Sequence, residues 1–499
     1  MAGHMRLPQG GLVKRDTPLS FTFDGKTYLG LAGDTLASAL LANGVHLVGR
    51  GFKYHRPRGI VSAGAEEPNA LMQLGDDPRT EPNLKATQVE LVDGLSARSQ
   101  NAWPSLEFDV GAVNSLASRF LPSGFYYKTF MWPASAWKTY EHFIRRAAGL
   151  GHSPSERDPD HYDKTFAHCD VLVVGGGPAG LAAALAAGRT GARVVLAEQD
   201  PLLGGALLNQ QGETIGGRPA LDWVAAAEAE LAAMPEVRIL KRTIAYAAFD
   251  HNFFGLVESL TDHLPAAPEH LPRKRLWKLR AKQAVFCGGA IERPMVFADN
   301  DRPGIMTASA VQTYVNRYAV KPGRRAVIFT NNDSGYGAAL DMTAAGIEVA
   351  AVVDTRPTPA GPLTERAEAQ GLRILGESAV VGVEGKKRVK GVRVAELTAD
   401  GKGMVGTVEA IDCDLVANSG GWNPTVHLFC QAKGKLRWDD DHACFVPDVA
   451  MQPGQRSAGA GNGAFGLRGC LSEGAEAGAA AGRRRGFPPP RGGAGPVGG

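Results

Sequence analysis

At 499 residues the chain is too long for a single hydrophobic core, and two or three domains are expected. Its 44% hydrophobic and 21% charged residues fit a globular protein, and a formal net charge of +3 gives no electrostatic support to a nucleic-acid partner. The sequence has no apolar run of about 18 residues to span a membrane and no signal-peptide core, so a cytoplasmic, membrane-free location is expected.

In chain order, residues 18–31 read as a hairpin. Leu19, Phe21 and Phe23 alternate with polar positions, Asp24-Gly25 supplies the turn, and Thr27, Tyr28 and Leu29 return. Asp34 is the expected cap of a short helix through Leu36, Leu40 and Leu41 that stops at Asn43-Gly44. Hairpin then helix is the opening of a β-grasp, ferredoxin-like domain, assigned to residues 1–95. The loop Gly49-Arg50-Gly51-Phe52-Lys53-Tyr54-His55-Arg56-Pro57-Arg58-Gly59 stands where a plant-type iron–sulfur protein carries cluster cysteines. No cysteine precedes Cys169, so no cluster can be ligated there.

Residues 96–168 form an aromatic-rich linker or interface segment, with Trp103, Phe125, Tyr126, Tyr127, Phe130, Trp132, Trp137, Tyr140 and Phe143. Core or interface packing is the default expectation for them, and partner contact a further possibility. The six cysteines, Cys169, Cys287, Cys413, Cys430, Cys444 and Cys470, form no C-x-x-C pair. Zinc, iron–sulfur and redox-dithiol chemistry lack their spacing, no metal site is expected, and buried free thiols are.

From Cys169 the pattern turns α/β. Val171–Val174 is a continuous apolar run suited to a parallel strand buried on both faces. Gly175-Gly176-Gly177-Pro178-Ala179-Gly180 then fits G-x-G-x-x-G between a strand and a helix. Gly175 permits the tight turn, Gly177 lets the backbone approach a pyrophosphate, and Gly180 lets the helix pack on the strand. The helix N-terminus, with Pro178 and the free N–H groups around Ala179, faces the phosphates. Residues 193–198 form the second strand, ending in Glu198 with Gln199 beside it. A carboxylate there accepts bonds from an adenosine ribose and repels a 2′-phosphate, favouring NAD or FAD over NADP. Gly204-Gly205-Ala206 offers a close backbone approach, and Arg242-Thr243-Ile244 reads as a strand edge able to meet an adenine through main-chain groups.

A second βαβ pattern spans Ala326–Phe329, a helix ending near Ala345-Gly346, and Val349–Val353. Its turn, Thr330 to Gly335, holds one glycine where a fingerprint needs three, which favours a structural repeat; Asp354 is its ribose acid on the other reading. Glycine corners at Cys287–Ala290 and Asn418–Trp422 suit crossings between a nucleotide domain and an insert. Gly459-Ala460-Gly461-Asn462-Gly463 sits where many two-domain flavoproteins place an Asp for the flavin ribityl chain. Asn462 is the nearest candidate, which tilts the site from FAD toward NAD. The expected organisation is an α/β, Rossmann-like FAD/NAD(P)-binding two-domain fold after the β-grasp domain. The dinucleotide domain takes 169–302 and 405–482, an inserted βαβ domain 303–404, and a disordered tail 483–499.

Several runs resemble the α subunit of heterotetrameric sarcosine oxidase: residues 33–44, 52–59 and 66–71, Met131-Trp132-Pro133, the glycine fingerprint, Glu292-Arg293-Pro294 and residues 330–333. The resemblance covers nearly all of residues 6–480. It implies a complex with β, γ and δ subunits that oxidatively demethylates sarcosine to glycine, passing electrons to oxygen as peroxide. It further implies NAD in this chain, FAD in the β subunit where substrate is oxidised, and FMN at the α/β interface, bonded to the partner. No catalytic residue is expected here, and the Arg50–Arg58 loop is read as a flavin-phosphate contact, a partner contact or a solvated loop. The family's folate-binding C-terminal domain has no counterpart in the chain, so release of free formaldehyde in place of methylene transfer is expected. Three other readings stay open: a self-contained FAD-dependent oxidoreductase, an opine or hydroxyproline dehydrogenase α subunit, and a scaffold with a relic NAD site.

Overall fold

The computed structural model describes residues 3–120, 124 and 132–483. Phe125, Tyr126, Tyr127, Phe130, Met131 and the expected tail from 484 onward lie outside the described residues. The chain divides into two compact units, Met1–Pro159 with Pro294–Gly420, and Asp160–Arg293 with Gly421–Gly499.

In the first unit, β1 (Lys14–Phe23) and β2 (Lys26–Ala32) form the expected hairpin, turning at Asp24 and Gly25. Helix α1 (Leu36–Ala42) follows, every residue of it buried. Its cap is Thr35, not Asp34: the Thr35 hydroxyl accepts from the Ser38 N–H, and the Ser38 side chain accepts from the Thr35 N–H. The Asp34 carboxylate is engaged instead by Arg6, at 2.6 and 3.0 Å, and by the Ser38 hydroxyl and the Leu31 N–H. Strands β3 (Leu71–Leu74), β4 (Glu81–Lys85) and β5 (Leu95–Ser99) complete a five-stranded sheet of order β2-β1-β5-β3-β4, with β1 and β5 parallel. Hairpin, helix and central parallel pair are the β-grasp arrangement. Beyond it Trp103, Trp132, Trp137 and Phe143, of the aromatics singled out in the sequence, are exposed and so lie outside the core.

The second unit opens with β6 (Tyr162–Val174), α2 (Pro178–Gly188) and β7 (Val194–Ala197), then α3 (Ala220–Ala232) and β8 (Val237–Leu240). β6, β7 and β8 are parallel neighbours, and Val171, Leu172 and Val173 are fully buried between layers. A meander of β9 (Thr243–Phe249), β10 (Phe253–Ser259) and β11 (Lys274–Phe286) extends the sheet, β11 running parallel to β6 along its whole length.

The chain next returns to the first unit. Strands β12 (Ile305–Thr307), β13 (Arg325–Thr330), β14 (Glu348–Asp354), β15 (Ile374–Leu375) and β16 (Leu415–Ser419) form a parallel sheet of order β12-β16-β13-β14-β15. Because β16 pairs with β12 on one side and β13 on the other, the segment belongs to this sheet as far as Gly420. The crossings therefore fall at Arg293/Pro294 and Gly420/Gly421, beside the two glycine corners, whereas the sequence reading set the insert at 303–404. The insert and the β-grasp portion share one core, in which Phe21, Leu36, Leu40 and Met72 join Val311, Tyr314, Tyr336 and Met342. The Tyr314 hydroxyl donates to the Ser62 carbonyl at 2.9 Å.

In the second unit the last elements are β17 (Gln455–Ser457), parallel to β11, and α4 (Leu467–Arg483). Helix α4 lays a row of glycines against α2. A Cβ on Gly474 would meet the Ala179 carbonyl at 2.2 Å, and one on Gly478 the Ala183 carbonyl at 2.1 Å. The contact is backbone on backbone, and no rotamer change can relieve an added side chain. Among the described residues no helix is long and apolar enough to cross a membrane. Gly478→Val should therefore force the two helices apart and cost about 3 kcal/mol or more, the upper range of overpacking effects. Chemical denaturation of the variant against the parent reads this directly, and an unchanged midpoint contradicts the packing described.

Candidate functional site

Four glycine turns of the second unit converge on the N-terminus of α2. The first is the fingerprint itself. Gly175 has φ +102°, and a Cβ there would lie 2.3 Å from the Cys287 carbonyl oxygen. Gly180 sits one turn into the helix, where a Cβ would be 1.7 Å from the Gly175 oxygen. Gly177 differs: the nearest atom to its missing Cβ is the Gly205 Cα at 3.8 Å, so fold packing alone does not demand glycine there. The space is left for a ligand's approach. Pro178 occupies the first helical position, and the Leu181 N–H is the first to bond back, to the Gly177 carbonyl at 2.9 Å. The N–H groups before it, around Ala179, face out of the helix end and form an anion-binding terminus.

The second turn is Gly204-Gly205, with φ +122° and +53°, tied down by the Gly204 N–H donating to the Gly176 carbonyl at 2.9 Å. Ala206 follows in a short 3-10 turn. The third is Gly288-Gly289 after β11, and the fourth runs from Gly459 to Gly463. A Cβ on Gly459 would meet the Ala179 methyl at 2.6 Å, and one on Gly461 the Gly289 carbonyl at 3.4 Å. The glycines chosen from the sequence are thus brought together with Pro178 and Ala179.

Glu198 follows β7 directly and is 8% exposed. Its Oε2 accepts from the Gly176 N–H and its Oε1 from the Asp200 N–H, at 2.5 and 2.8 Å. Each oxygen keeps a second lone-pair site, so the carboxylate organises the turn and can still accept a ribose hydroxyl. Burial, working against the hydrogen bonds from Asp200 and Gly176, pushes its pKa above the usual carboxylate range. Gln199 and Asp200 continue the loop. The Thr243 N–H donates to the Glu198 carbonyl at 2.8 Å, which seats Ile244 beside the acid at the start of the edge strand β9. The Ile244 side chain is exposed.

Asn462 is at the fourth turn, as expected, but the sequence did not reveal its partner. Glu473, on α4, accepts from the Asn462 amide at 3.2 Å and from the Gly459 N–H at 2.9 Å. Its only signal is an acid on the last helix, which no local pattern marks. The second βαβ unit is differently built. Asp354, ending β14, is fully buried and receives the Tyr336 hydroxyl at 2.8 Å and the Arg356 guanidinium, while Arg356 also grips Asp333 at 2.8 Å. Asp354 is thus engaged by a hydroxyl and a guanidinium of its own unit. Among the cysteines, Cys169, Cys287, Cys413 and Cys444 are buried and Cys470 half-buried, but Cys430 is exposed, against expectation. Burial raises the thiol pKa of Cys169 to about 12, so that group stays protonated and inert at neutral pH.

Comparison with known proteins follows the same division. Residues 16–102 match the family of 2Fe-2S iron-sulfur cluster binding domains, and residues 170–242 the FAD dependent oxidoreductase family. Over 486 residues the chain is 51% identical to sarcosine oxidase subunit alpha of Rhizobium meliloti (strain 1021), covering 97% of this chain and 48% of that protein. The chain is a homologue of sarcosine oxidase subunit alpha. The subunit alpha of Corynebacterium sp. (strain P-1) is 39% identical over 481 residues, covering 95% of this chain and 44% of its own. The chain spans about half the length of these curated relatives. Among solved structures, L-proline dehydrogenase from P. horikoshii superposes with a TM-score of 0.64 at 20% identity, covering 97% of this chain and 76% of its own, a likeness of fold.

The matched iron–sulfur region does not fit a cluster, because residues 16–102 contain no cysteine and a [2Fe–2S] centre needs four ligands, thiolates with His as the usual substitute. Among the described residues no group of three His, Cys, Asp or Glu is placed to hold a metal ion. The glycine cradle, in contrast, fits a dinucleotide pyrophosphate. Gly177→Ala should leave folding stability within about 0.5 kcal/mol while weakening dinucleotide binding tenfold or more, whereas Gly180→Ala should destabilise the fold itself. Denaturation midpoints and calorimetric titration on both variants separate the roles, and a Gly177→Ala chain with parental affinity contradicts the assignment.

Proposed function

We propose that the chain is the NAD-binding α-type subunit of a sarcosine oxidase-like complex, with sarcosine oxidation at a flavin held by a partner subunit. The observation that supports a dinucleotide here is the Gly175–Gly180 turn and helix terminus with Glu198 at the ribose position, and Asn462 in place of a ribityl acid is what favours NAD over FAD. The subunit-alpha homology supports the complex and its substrate class. In this reading the α2 N-terminus holds the pyrophosphate, Glu198 orients the adenosine ribose, and the backbone at Ile244 meets the adenine. Gly205 and Ala206 close one side of the cradle, and Gly459, Asn462 and Gly463 close the other. NAD, when bound, offers a hydride acceptor, while this chain supplies binding and orientation and no acid, base or nucleophile. FMN at an interface, FAD in the β subunit, and γ and δ subunits complete the proposed assembly.

A second reading, FAD in the same cradle, draws on the FAD dependent oxidoreductase match of residues 170–242. The amide at Asn462, bound to Glu473 where an acid would face a ribityl chain, weighs against it. Titration of the isolated chain with NAD and with FAD decides between them. NAD binding without FAD uptake is expected, and a chain that purifies yellow with flavin overturns the NAD assignment.

The ribose contact also carries a pH signature. Because burial raises the Glu198 pKa, acidification from neutral protonates it before an ordinary carboxylate would titrate. Protonation removes the acceptor that favours the ribose, so NAD affinity should fall as pH drops through that raised value and hold steady above it. Glu198→Ala should bind NAD about ten- to a hundredfold more weakly at neutral pH, the range for losing charge-assisted hydrogen bonds, and should lose this pH dependence. A parental affinity that stays flat on acidification counts against a ribose contact.

A further inference from the structure

In the second unit the N-terminal halves of β6 and β11 form, with β10 and β9, a sheet whose two faces differ. Trp277, Leu279, Phe254 and Leu256 point into the core, so their neighbours along each strand point out. Register sets Phe166 beside Lys278 and Lys164 beside Leu276 on that outer face, and on the next strand Phe253 beside Arg280 and Gly255 beside Lys278. Phe166 is 73% exposed, and Tyr162, Tyr246 and Phe249 are about half-exposed. A Cβ on Gly255 would meet the Tyr246 ring at 2.5 Å, so that ring lies flat across the sheet.

The cations of this face have no acid. The Lys278 ammonium stands 4.9 Å from the centre of the Phe166 ring, and the Arg280 guanidinium 5.4 Å from that of Phe253, donating also to the His251 carbonyl at 3.0 Å. Lys164 is exposed, and among the described residues no carboxylate pairs with it, with Lys278 or with Arg280. The acids of these strands are engaged elsewhere. Asp163 and Glu258 fall in the opposite register and face Arg275, while Asp170 takes Arg193 and Lys282. The face is therefore apolar at its centre and positive, and its charges are open to solvent.

We infer that this sheet face is a docking surface for a protein partner that presents carboxylates around an apolar centre, with Lys164, Lys278 and Arg280 meeting the charges and Phe166 and Tyr246 the anchor. A second copy of the chain would set like charges against each other. Single-stranded nucleic acid would need free ring faces for its bases, and Lys278 and Arg280 already cover those of Phe166 and Phe253. Carboxylates can reach the same cations without uncovering the rings. The surface is independent of the nucleotide assigned to the glycine cradle.

Fluorescence anisotropy of a labelled glutamate–tyrosine copolymer titrated with the full chain tests it, beside polyglutamate and an oligothymidylate. The copolymer should bind more tightly than either. Lys164→Glu combined with Lys278→Glu should weaken it by about tenfold or more, and Lys402→Glu, at an exposed lysine of the first unit, should not. Phe166→Ser should remove the advantage of the copolymer over polyglutamate. If the double variant fails to fold, Lys164→Glu carries the test alone, since that side chain is exposed and unpaired among the described residues. Copolymer binding that survives the charge reversal places the partner elsewhere and overturns the surface. So does a preference for the oligothymidylate, an equal affinity for polyglutamate, or a dimer of the parent chain that the reversal dissolves.

Discussion

Backbone meeting backbone, closer than any Cβ permits, is the constraint on which the nucleotide-binding unit rests. The Gly175 oxygen lies where a Cβ on Gly180 would sit, the Cys287 oxygen where one on Gly175 would, and the Ala179 oxygen where one on Gly474 would. Each approach places one peptide group against another with no side chain between them. Together they fix the first turn of α2 from the side of its own strand, from β11 and from α4. The helix end that would receive a pyrophosphate is held from behind by main chain, leaving its N–H groups to face forward. Gly177, inside that same turn, is spared this pressure, with its nearest neighbour at 3.8 Å, so its missing side chain is better explained by a ligand than by the fold.

Much of this was legible in the sequence because its causes are local. Glycine spacing, a continuous apolar strand and an acid at the end of the second strand all fall within one βαβ unit, and their geometry follows from chain connectivity. What escaped was tertiary. Asp34 and Thr35 are both good caps, and only Arg6, arriving from far along the chain, draws Asp34 away and leaves Thr35 the role. Glu473 acts on Asn462 from a different element, so no window of sequence joins them. The strand Leu415–Ser419 has the same apolar pattern whichever sheet it enters, and only its pairing with β12 and β13 assigns it to the insert. Aromatic content around Trp103 and Phe143 could not distinguish core from surface, since a large ring is favourable in either place when something covers it.

In the first unit, electrostatics take over the work that a metal cluster does in an iron–sulfur domain. The loop that would wrap the cluster is held instead by Arg50 on two carbonyls and by Glu67, fully buried, whose carboxylate accepts the N–H groups of Val61, Ser62, Asn69 and Ala70. Burial raises the Glu67 pKa even against those four donors, so the same bonds that order the loop also keep the carboxylate ionisable. Arg50 closes the loop from the side of Leu106 and Glu67 from the side of Ser62. Order without cysteine is thereby obtained from charges bound to main chain.

Glu198 joins the two themes, because it is both a structural and a receptive group. Its bonds to Gly176 and Asp200 order the loop within the fold, so for the proposed nucleotide the entropy of ordering that loop would be met in folding and not in binding. The cost is a carboxylate kept in a poorly hydrated place, expressed in its raised pKa. A ribose that donates to the free lone pairs would relieve that cost, since hydroxyls restore part of the hydration lost on burial. In the proposed site, the same desolvation that disfavours the Glu198 carboxylate would make it a stronger acceptor for a ligand hydroxyl, and would tie the order of the glycine turn to a preference for an unphosphorylated ribose. A 2′-phosphate there would meet a buried negative charge, and the repulsion would act at short range with little water to screen it.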